Sequence, residues 1–382
     1  MTSPPRADAI VIGAGIVGAS CALALANEGW RVTVLDAEFA SAGTTSVGMG
    51  HIVAMDDSPE QLALTAYSSR LWREIAPRLD ARAERDICGT LWVAENDAQF
   101  EALYTKRTVY QRAGVATDVL DSRDLASAEP QLRPGLAGAL RVPGDAVVYP
   151  PGATLCLLEL AADRGATVHP RTRVRRIVDH GVEIDTGTLR ADVIVNATGA
   201  AAAALTPELP IVPRKGHLAI TDRYPGFIRH QLVELGYLTS AHVMTSESVA
   251  FNLQPRVTGQ VLIGSSRELV EWDASLNHDI LRRMLRRAVD FVPSLSELSI
   301  IRCWTGFRPA TPDKLPLIGR WDPVPGLYVA VGHEGLGITT SLATGRLIAD
   351  EVAARPSVID RTPFAPSRVL DAPAPAALES HA

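Results

Sequence analysis

The sequence has 382 residues, of which 47% are hydrophobic and 21% are charged, and this composition is typical of a globular protein of about two domains. A net charge of −6 disfavours nucleic acid as a partner, and no apolar run is long enough to cross a membrane. The first six residues lack the apolar core of a signal peptide. We therefore expect a cytoplasmic protein, with peripheral attachment to the inner face of the membrane left open.

The chain begins with a predicted dinucleotide-binding unit. A short apolar strand leads into residues 13–18, which match G-x-G-x-x-G, and a helical pattern follows. Gly13 permits a tight turn, Gly15 lets a pyrophosphate approach the backbone, and Gly18 lets the helix pack closely on the strand. The next apolar strand ends at Asp36, where a carboxylate is placed to accept hydrogen bonds from a ribose.

Residues 37–51 are rich in small and hydroxyl side chains. Such a segment suits the close approach of a phosphate or a flat ring, although a plain flexible connection is the alternative. A later buried strand ends in a second small-residue turn, Ala197-Thr198-Gly199. Between these two turns the periodicity predicts helices over 59–79, 97–111, 124–130 and 153–164, and strands over 88–94, 166–169, 174–178 and 181–185.

The pattern changes after Val212, where strand-like runs dominate and one helix, over residues 277–292, is predicted. We predict an α/β and α+β protein, in which a discontinuous Rossmann-type domain carries an inserted antiparallel-sheet domain. The predicted boundaries are 1–80, 150–212 and 302–365 for the dinucleotide-binding domain, 81–149 and 213–301 for the substrate-binding domain, and 366–382 for a Pro/Ala-rich tail. The four cysteines form no C-x-x-C pair, so we predict no metal or iron–sulfur site.

Two further motifs lie near the C-terminus: Gly306-Phe307-Arg308-Pro309, followed by Thr311-Pro312-Asp313, and a glycine-rich helix start over residues 332–339. These two motifs follow the glycine turn at 13–18 and the turn at 197–199 in the same order as in a known family. With these four motifs, the chain resembles the flavin-dependent D-amino acid oxidase and glycine oxidase (DAO) family. Residues 42–67 and 332–342 look most like the catalytic subunits of bacterial heteromeric dehydrogenases, which include D-hydroxyproline dehydrogenase, opine oxidase and hydrogen cyanide synthase.

The resemblance implies FAD, with a binding site assembled from distant segments. The implied cofactor-binding residues are Gly13, Gly15, Ile16, Val17, Gly18, Asp36, Ala37, Thr44, Thr45, Gly48, Met49, Val174, Gly199, Gly306, Gly332, Gly335, Leu336, Gly337, Ile338 and Thr339. The positive end of the helix that follows Gly332 would stabilise negative charge on the reduced flavin.

The resemblance also places a carboxylate-binding arginine at Arg308, whose planar guanidinium would fix the orientation of an amino acid substrate. The alternative is that Arg308 pairs with an internal carboxylate such as Asp313. His333 and His51 are further candidate catalytic residues, which would tune the amine or shape the pocket, and His217 is expected to be structural. Phe251, Asn252 and Gln254 are guesses for the far side of the substrate.

Relatives with covalent flavin carry a histidine where this chain has Val47, or a cysteine where it has Gly306, so non-covalent FAD is expected. The leading interpretation is oxidation of the C–N bond of a D-amino acid, an imino acid such as cis-4-hydroxy-D-proline, or an opine, by hydride transfer to the flavin. Electrons would pass to partner subunits that carry an iron–sulfur centre or a second flavin, such as FMN at an interface. The alternatives are a self-sufficient oxidase that uses oxygen and releases peroxide, and an electron-relay scaffold.

Overall fold

A computed structural model describes residues 8–236 and 247–370. The chain divides into two compact units. Unit 1 comprises the residues up to Ser46, Thr154–Pro213, and the residues from Arg308 onward. Unit 2 comprises Val47–Ala153 and Arg214–Phe307.

The strands and helices of the described residues are as follows. The strands are β1 Ala9–Ile12, β2 Val32–Leu35, β3 His51–Ile52, β4 Thr90–Ala94, β5 Asp118–Asp121, β6 Gly138–Val142, β7 Ala146–Val147, β8 Thr167–His169, β9 Val174–Val178, β10 Gly181–Ile184, β11 Gly187–Arg190, β12 Val193–Asn196, β13 Val212–Thr221, β14 Gln231–Glu234, β15 Glu247–Pro255, β16 Val261–Leu269, β17 Ile300–Ala310, β18 Leu317–Arg320 and β19 Leu327–Val331. The helices are α1 Ile16–Asn27, α2 Pro59–Ile75, α3 Asp97–Arg112, α4 Ser122–Ala128, α5 Pro150–Ala162, α6 His278–Phe291 and α7 Gly337–Val352.

Unit 1 is built on a six-stranded sheet in the order β18-β19-β12-β1-β2-β8. All its neighbouring strands are parallel except β18, which runs antiparallel to β19. The central strand β1 is fully buried, as its run of apolar residues predicts for a strand covered on both faces. Helices α1 and α7 pack so closely that a Cβ on Gly345 would lie 2.4 Å from the Ser20 carbonyl oxygen.

Unit 2 is built on an eight-stranded sheet in the order β17-β13-β16-β15-β14-β4-β6-β5. Strand β14 runs parallel to β4, while the other pairs along β13 to β16 and β4 to β6 are antiparallel. One face of this sheet packs on α6, where the rings of Phe251 and Phe291 stack with centroids 4.1 Å apart. Side chains alternate between the faces of a strand, so Asn252 and Gln254 lie on the opposite face.

The boundary of unit 1 differs from the predicted domain boundary. Residues 47–80 belong to unit 2, whereas the sequence prediction assigned them to the cofactor-binding domain. The physical reason is pairing that the sequence did not reveal: β3 pairs with β7, and the Ala54 amide donates to a carboxyl oxygen of the buried Asp145 over 3.2 Å. Which unit binds cofactor and which binds substrate stays a prediction.

The ends of the chain are described only in part. The signal-peptide prediction for residues 1–6 and most of the predicted tail, residues 371–382, lie outside the described residues. Within the predicted tail, however, Arg368 pairs with Asp313 at 2.6 Å and donates to the Leu315 carbonyl at 2.7 Å. This stretch is therefore docked on unit 1. Across the described ranges, every helix is too short or too polar to span a lipid bilayer.

Candidate flavin and substrate site

The glycine turn after β1 is enclosed by backbone. Gly13 has φ +103°, and a Cβ there would lie 2.6 Å from the Ala197 carbonyl oxygen. A Cβ on Gly18 would lie only 1.9 Å from the Gly13 carbonyl oxygen. Neither position can carry a side chain without moving the backbone. The turn therefore brings the start of α1 close to the second small-residue turn.

Asp36 faces this glycine turn. One carboxylate oxygen accepts a hydrogen bond from the Ala14 amide at 2.6 Å, and the other accepts from the Glu38 amide at 2.8 Å. The carbonyl of Asp36 accepts from Thr172 at 2.7 Å, two residues before the buried Val174. Asp36 and Val174, two of the predicted cofactor-binding residues, therefore lie near each other at the end of β2.

The hydroxyl of Thr45 accepts a hydrogen bond from the Ile16 amide at 3.1 Å, at the first residue of α1. A Cβ on Gly15 would lie 3.1 Å from the same hydroxyl. Of the predicted loop residues, Thr44 and Thr45 thus belong to unit 1, beside the glycine turn, whereas Gly48 belongs to unit 2. Ala37 directly follows Asp36, and Gly199, with φ +59°, begins the short helical turn after β12.

The C-terminal turn converges on the same end of α1. Gly332 has φ +80°, and a Cβ there would lie 2.5 Å from the Thr311 methyl group. Helix α7 begins at Gly337, where a Cβ would lie 3.9 Å from a methyl group of Val17. In the same turn Thr339 is buried, Leu336 and Ile338 are half-buried, and Gly335 is exposed. Unit 1 therefore brings together the predicted residues from three distant segments.

His333 is buried inside this turn, and 6% of its surface is exposed. Its Nε2 lies 2.9 Å from the hydroxyl of Thr344, one of α7's buried threonines. Burial lowers the pKa of the imidazole from 6.5 to about 3, because the protein interior disfavours the charged form. His333 is therefore neutral near pH 7, and it can shape the turn but cannot serve as a proton donor in its charged form.

Arg308 lies near the end of β17, at the residue where the chain passes from unit 2 into unit 1. It is half-buried. The internal carboxylate considered as its alternative partner, Asp313, is engaged elsewhere: it pairs with Arg368, and this pairing contributes to the lowered pKa of the Asp313 carboxyl. The structure thus supplies a different arginine for Asp313.

In unit 2, the residues after Val47 pack against β17. A Cβ on Gly306 would lie 2.4 Å from a methyl group of Val47, and the indole N–H of Trp304 donates to the Val47 carbonyl at 3.2 Å. Met49 is buried against Leu218 on the sheet face opposite α6. Val47 and Gly306, on which the expectation of non-covalent FAD rests, are thus neighbours, and neither offers a nucleophile.

His51 is held in a hydrogen-bonded network across this sheet face. Its Nδ1 contacts the side-chain oxygen of Gln231, whose amide nitrogen donates to the Ala146 carbonyl at 3.1 Å. Its Nε2 lies 3.3 Å from the amide nitrogen of Asn252. The sequence analysis named His51 but did not find Gln231, because a single polar residue within a short strand carries no recognisable signal.

Of the three residues guessed for the far side of the substrate, two lie on the sheet face opposite α6 and one does not. Asn252 and Gln254 are buried beside His51 and Met49, and Gln254 donates to the Met49 carbonyl at 2.7 Å. Phe251 instead points into the core beneath α6, so it is not a candidate for substrate contact. His217 is fully buried; its Nδ1 lies 3.0 Å from the Ser266 hydroxyl and its Nε2 accepts from the Asn277 amide.

Residues 8–351 match the family described as FAD-dependent oxidoreductase, or DAO. The chain belongs to this family. The residues of unit 1 fit the cofactor, since no side chain at Gly13, Gly15 or Gly18 would obstruct a phosphate at the start of α1, and Asp36 stands beside that turn.

Named relatives of this DAO-family chain include both oxidases and dehydrogenases. Hydrogen cyanide synthase subunit HcnC of Pseudomonas aeruginosa is 29% identical, over 97% of this chain and 98% of its own. D-amino acid dehydrogenase of Methylobacterium sp. is also 29% identical, over 94% of this chain and 98% of its own. Glycine oxidase of Geobacillus kaustophilus is 28% identical, over 95% of this chain and 97% of its own.

Solved structures agree with this assignment. The crystal structure of the Geobacillus kaustophilus glycine oxidase has a TM-score of 0.83 at 27% identity, over 94% of this chain and 98% of its own. The L-proline dehydrogenase from P. horikoshii has a TM-score of 0.86 at 24% identity, over 96% of this chain and 98% of its own, and it supports the fold alone. The protein is thus an FAD-dependent oxidoreductase with a Rossmann-like parallel core and separate antiparallel sheets.

Proposed function

We propose that this enzyme oxidises the C–N bond of a small D-amino acid, imino acid or opine. The observation that carries the proposal is the position of Arg308 at the end of β17, together with the pairing of Asp313 with Arg368. Relatives named glycine oxidase and D-amino acid dehydrogenase support the same substrate class.

In this proposal Arg308 binds the substrate carboxylate. A guanidinium that donates two parallel hydrogen bonds fixes both the position and the rotation of a carboxylate. Fixed rotation matters because the hydrogen on the α-carbon has to point at its acceptor at near-contact distance. FAD, when bound, supplies that hydride acceptor.

The residues of unit 1 hold the cofactor in this scheme. Gly13, Gly15 and Gly18 receive the phosphates, and Asp36 receives the ribose. The start of α7 presents its positive end to the flavin. We propose non-covalent FAD, because Val47 and Gly306 occupy the positions of the linking residues.

The buried histidines act on shape and hydrogen bonding. His333 is neutral at working pH and supports the turn before α7. His51 lies on the substrate-facing side in the proposal, as a hydrogen-bonded imidazole. An amine that arrives deprotonated needs no further base.

The electron acceptor is proposed to be a partner subunit. A relative named as a subunit, HcnC, supports such an assembly. A second flavin, FMN, where the subunits meet is a prediction of the sequence that rests on the family resemblance alone. Direct transfer to oxygen is the competing route, since glycine oxidases are also among the relatives.

The test is an anaerobic screen in which D-amino acids, imino acids and opines are mixed with the holoenzyme and the yellow absorbance is followed. We expect bleaching by at least one of these classes. Arg308→Ala should weaken carboxylate substrates by about 100-fold or more, the scale of a buried charged hydrogen-bond pair, with Arg302→Ala on the exposed part of β17 as the control.

Unchanged turnover by Arg308→Ala would refute the carboxylate-binding role. Bleaching by no amine would favour an electron-relay scaffold. If air restores the colour rapidly and hydrogen peroxide accumulates, the enzyme is an oxidase and the proposed partner subunits are not needed.

A further inference from the structure

The polar face of the unit 2 sheet contains a row of hydrogen bonds with a fixed direction. It starts at the Gln231 amide nitrogen, which donates to the Ala146 carbonyl at 3.1 Å and the Thr90 hydroxyl at 3.3 Å. The Gln231 side-chain oxygen therefore faces His51, and it can only accept. Consequently the Nδ1 of His51 carries a hydrogen and donates it to Gln231.

This assignment fixes the next residue in the row. In a neutral imidazole with a hydrogen on Nδ1, the Nε2 is an acceptor. The group 3.3 Å from it is then the Asn252 amide nitrogen, which donates. The side-chain oxygen of Asn252 therefore points away from His51. If the amide were rotated by 180°, this oxygen would face Nε2 of His51, and both atoms are acceptors.

That oxygen has no hydrogen-bond partner within the described ranges 8–236 and 247–370, although Asn252 is 95% buried, with 5% of its surface exposed. Its neighbour on the same strand face, Gln254, is fully buried. The Gln254 nitrogen donates to the Met49 carbonyl, which fixes the orientation of the amide, and among the described residues the side-chain oxygen has no partner. A buried acceptor without a donor is costly, by more than a typical hydrogen bond gains. Two such acceptors on one face can be satisfied by a donor from outside the protein chain, such as a water or a ligand hydroxyl.

We propose that Asn252 is a specificity-determining residue whose side-chain oxygen accepts a hydrogen bond from a hydroxyl group on the side chain of the substrate. His51 is the positioning residue, because its Nε2 holds the Asn252 amide in the orientation that presents the oxygen. The inference rests on the proposed function, and it narrows the substrate to hydroxylated amino or imino acids.

The test compares two matched pairs of substrates, D-serine with D-alanine and cis-4-hydroxy-D-proline with D-proline. Anaerobic rapid mixing of the FAD holoenzyme measures the dissociation constant and the limiting rate of bleaching separately. In the wild-type protein we expect the hydroxylated member of at least one pair to bind at least about 10-fold more tightly, the size of one well-made hydrogen bond to a buried group.

Asn252→Leu, of similar volume, should abolish this preference, because the dissociation constant of the hydroxylated member should rise to that of the hydroxyl-free member. His51→Ala should reduce the preference, and His51→Asn, which can still accept a hydrogen bond, should restore part of it. Ser248→Ala is the control, because Ser248 lies on the same strand with an unpartnered hydroxyl but outside the row.

Equal binding within both pairs by the wild-type protein overturns the inference, as does a preference that survives in Asn252→Leu or disappears in Ser248→Ala. If hydroxyl-free amino acids bleach the flavin normally in such a case, the proposed function stands. If no amino acid, imino acid or opine bleaches the wild-type protein, the proposed function fails, and this inference falls with it.

Discussion

Replacing His333 by glutamine should change how the stability of the protein depends on pH. The amide nitrogen of glutamine can reach the Thr344 hydroxyl as Nε2 does, but glutamine takes up no proton. Burial lowers the pKa of His333 from 6.5 to about 3. At about 1.4 kcal/mol for each pKa unit, protonating His333 costs about 5 kcal/mol more in the folded protein than in the unfolded chain.

The sign follows from proton binding. Between pH 6.5 and pH 3 the unfolded chain binds a proton at this histidine and the folded protein does not, so acid favours unfolding. The stability contributed by neutral His333 is complete above pH 6.5 and is lost as the pH falls. At pH 5 the protonation of His333 in the unfolded chain should have lowered the free energy of unfolding of the wild-type protein by about 2 kcal/mol, whereas position 333 contributes no such loss in His333→Gln.

The assay is urea unfolding of the holoenzyme at pH 7.5 and pH 5.0 for both proteins. The difference in the free energy of unfolding between wild type and variant should shift by about 2 kcal/mol in favour of the variant at the lower pH. His169→Gln, at an exposed histidine, is the control for exchanging an imidazole for an amide. An identical difference at both pH values would refute the claim that His333 is buried and neutral.

Three further outcomes are expected. Gly18→Ala should abolish FAD binding, measured by flavin absorbance per protein, because its Cβ would lie 1.9 Å from a carbonyl oxygen, whereas Gly43→Ala, with no atom within 4 Å, should retain the cofactor. Burial raises the pKa of Asp145 to about 7, so between pH 5 and pH 7 the folded protein keeps a proton that the unfolded chain loses. The free energy of unfolding of Asp145→Asn, measured in urea, should therefore rise relative to that of the wild-type protein by about 2–3 kcal/mol from pH 5 to pH 7. Lys106→Met removes the partner of the largely buried Asp56 and should cost about 3–5 kcal/mol in the same measurement at pH 7.5.

The fold of unit 1 was largely predictable because its signals are local. An apolar strand, a glycine turn and a helix start follow one another within residues 9–27, and each is dictated by sterics that any protein obeys. The predicted elements of unit 1 appear within a few residues of their expected positions.

The sequence was less informative in unit 2. Strand β14, which joins the two halves of the large sheet by pairing in parallel with β4, was not predicted. Its four residues carry no periodicity long enough to recognise, and its place depends on partners far along the chain. The same holds for β3, whose pairing with β7 assigns the residues after Val47 to unit 2.

For the site, the sequence alone determined the residue types: the glycines expected to let phosphates approach, the acid after β2, and the arginine before Pro309. Tertiary structure decided which groups are charged, paired or unsatisfied. Burial makes His333 neutral, and Arg368, from the predicted tail, takes Asp313. The Gln231–His51 contact leaves the Asn252 oxygen without a donor among the residues that the structure describes. These properties depend on burial and on hydrogen-bond direction between residues up to about two hundred positions apart, which no local pattern encodes.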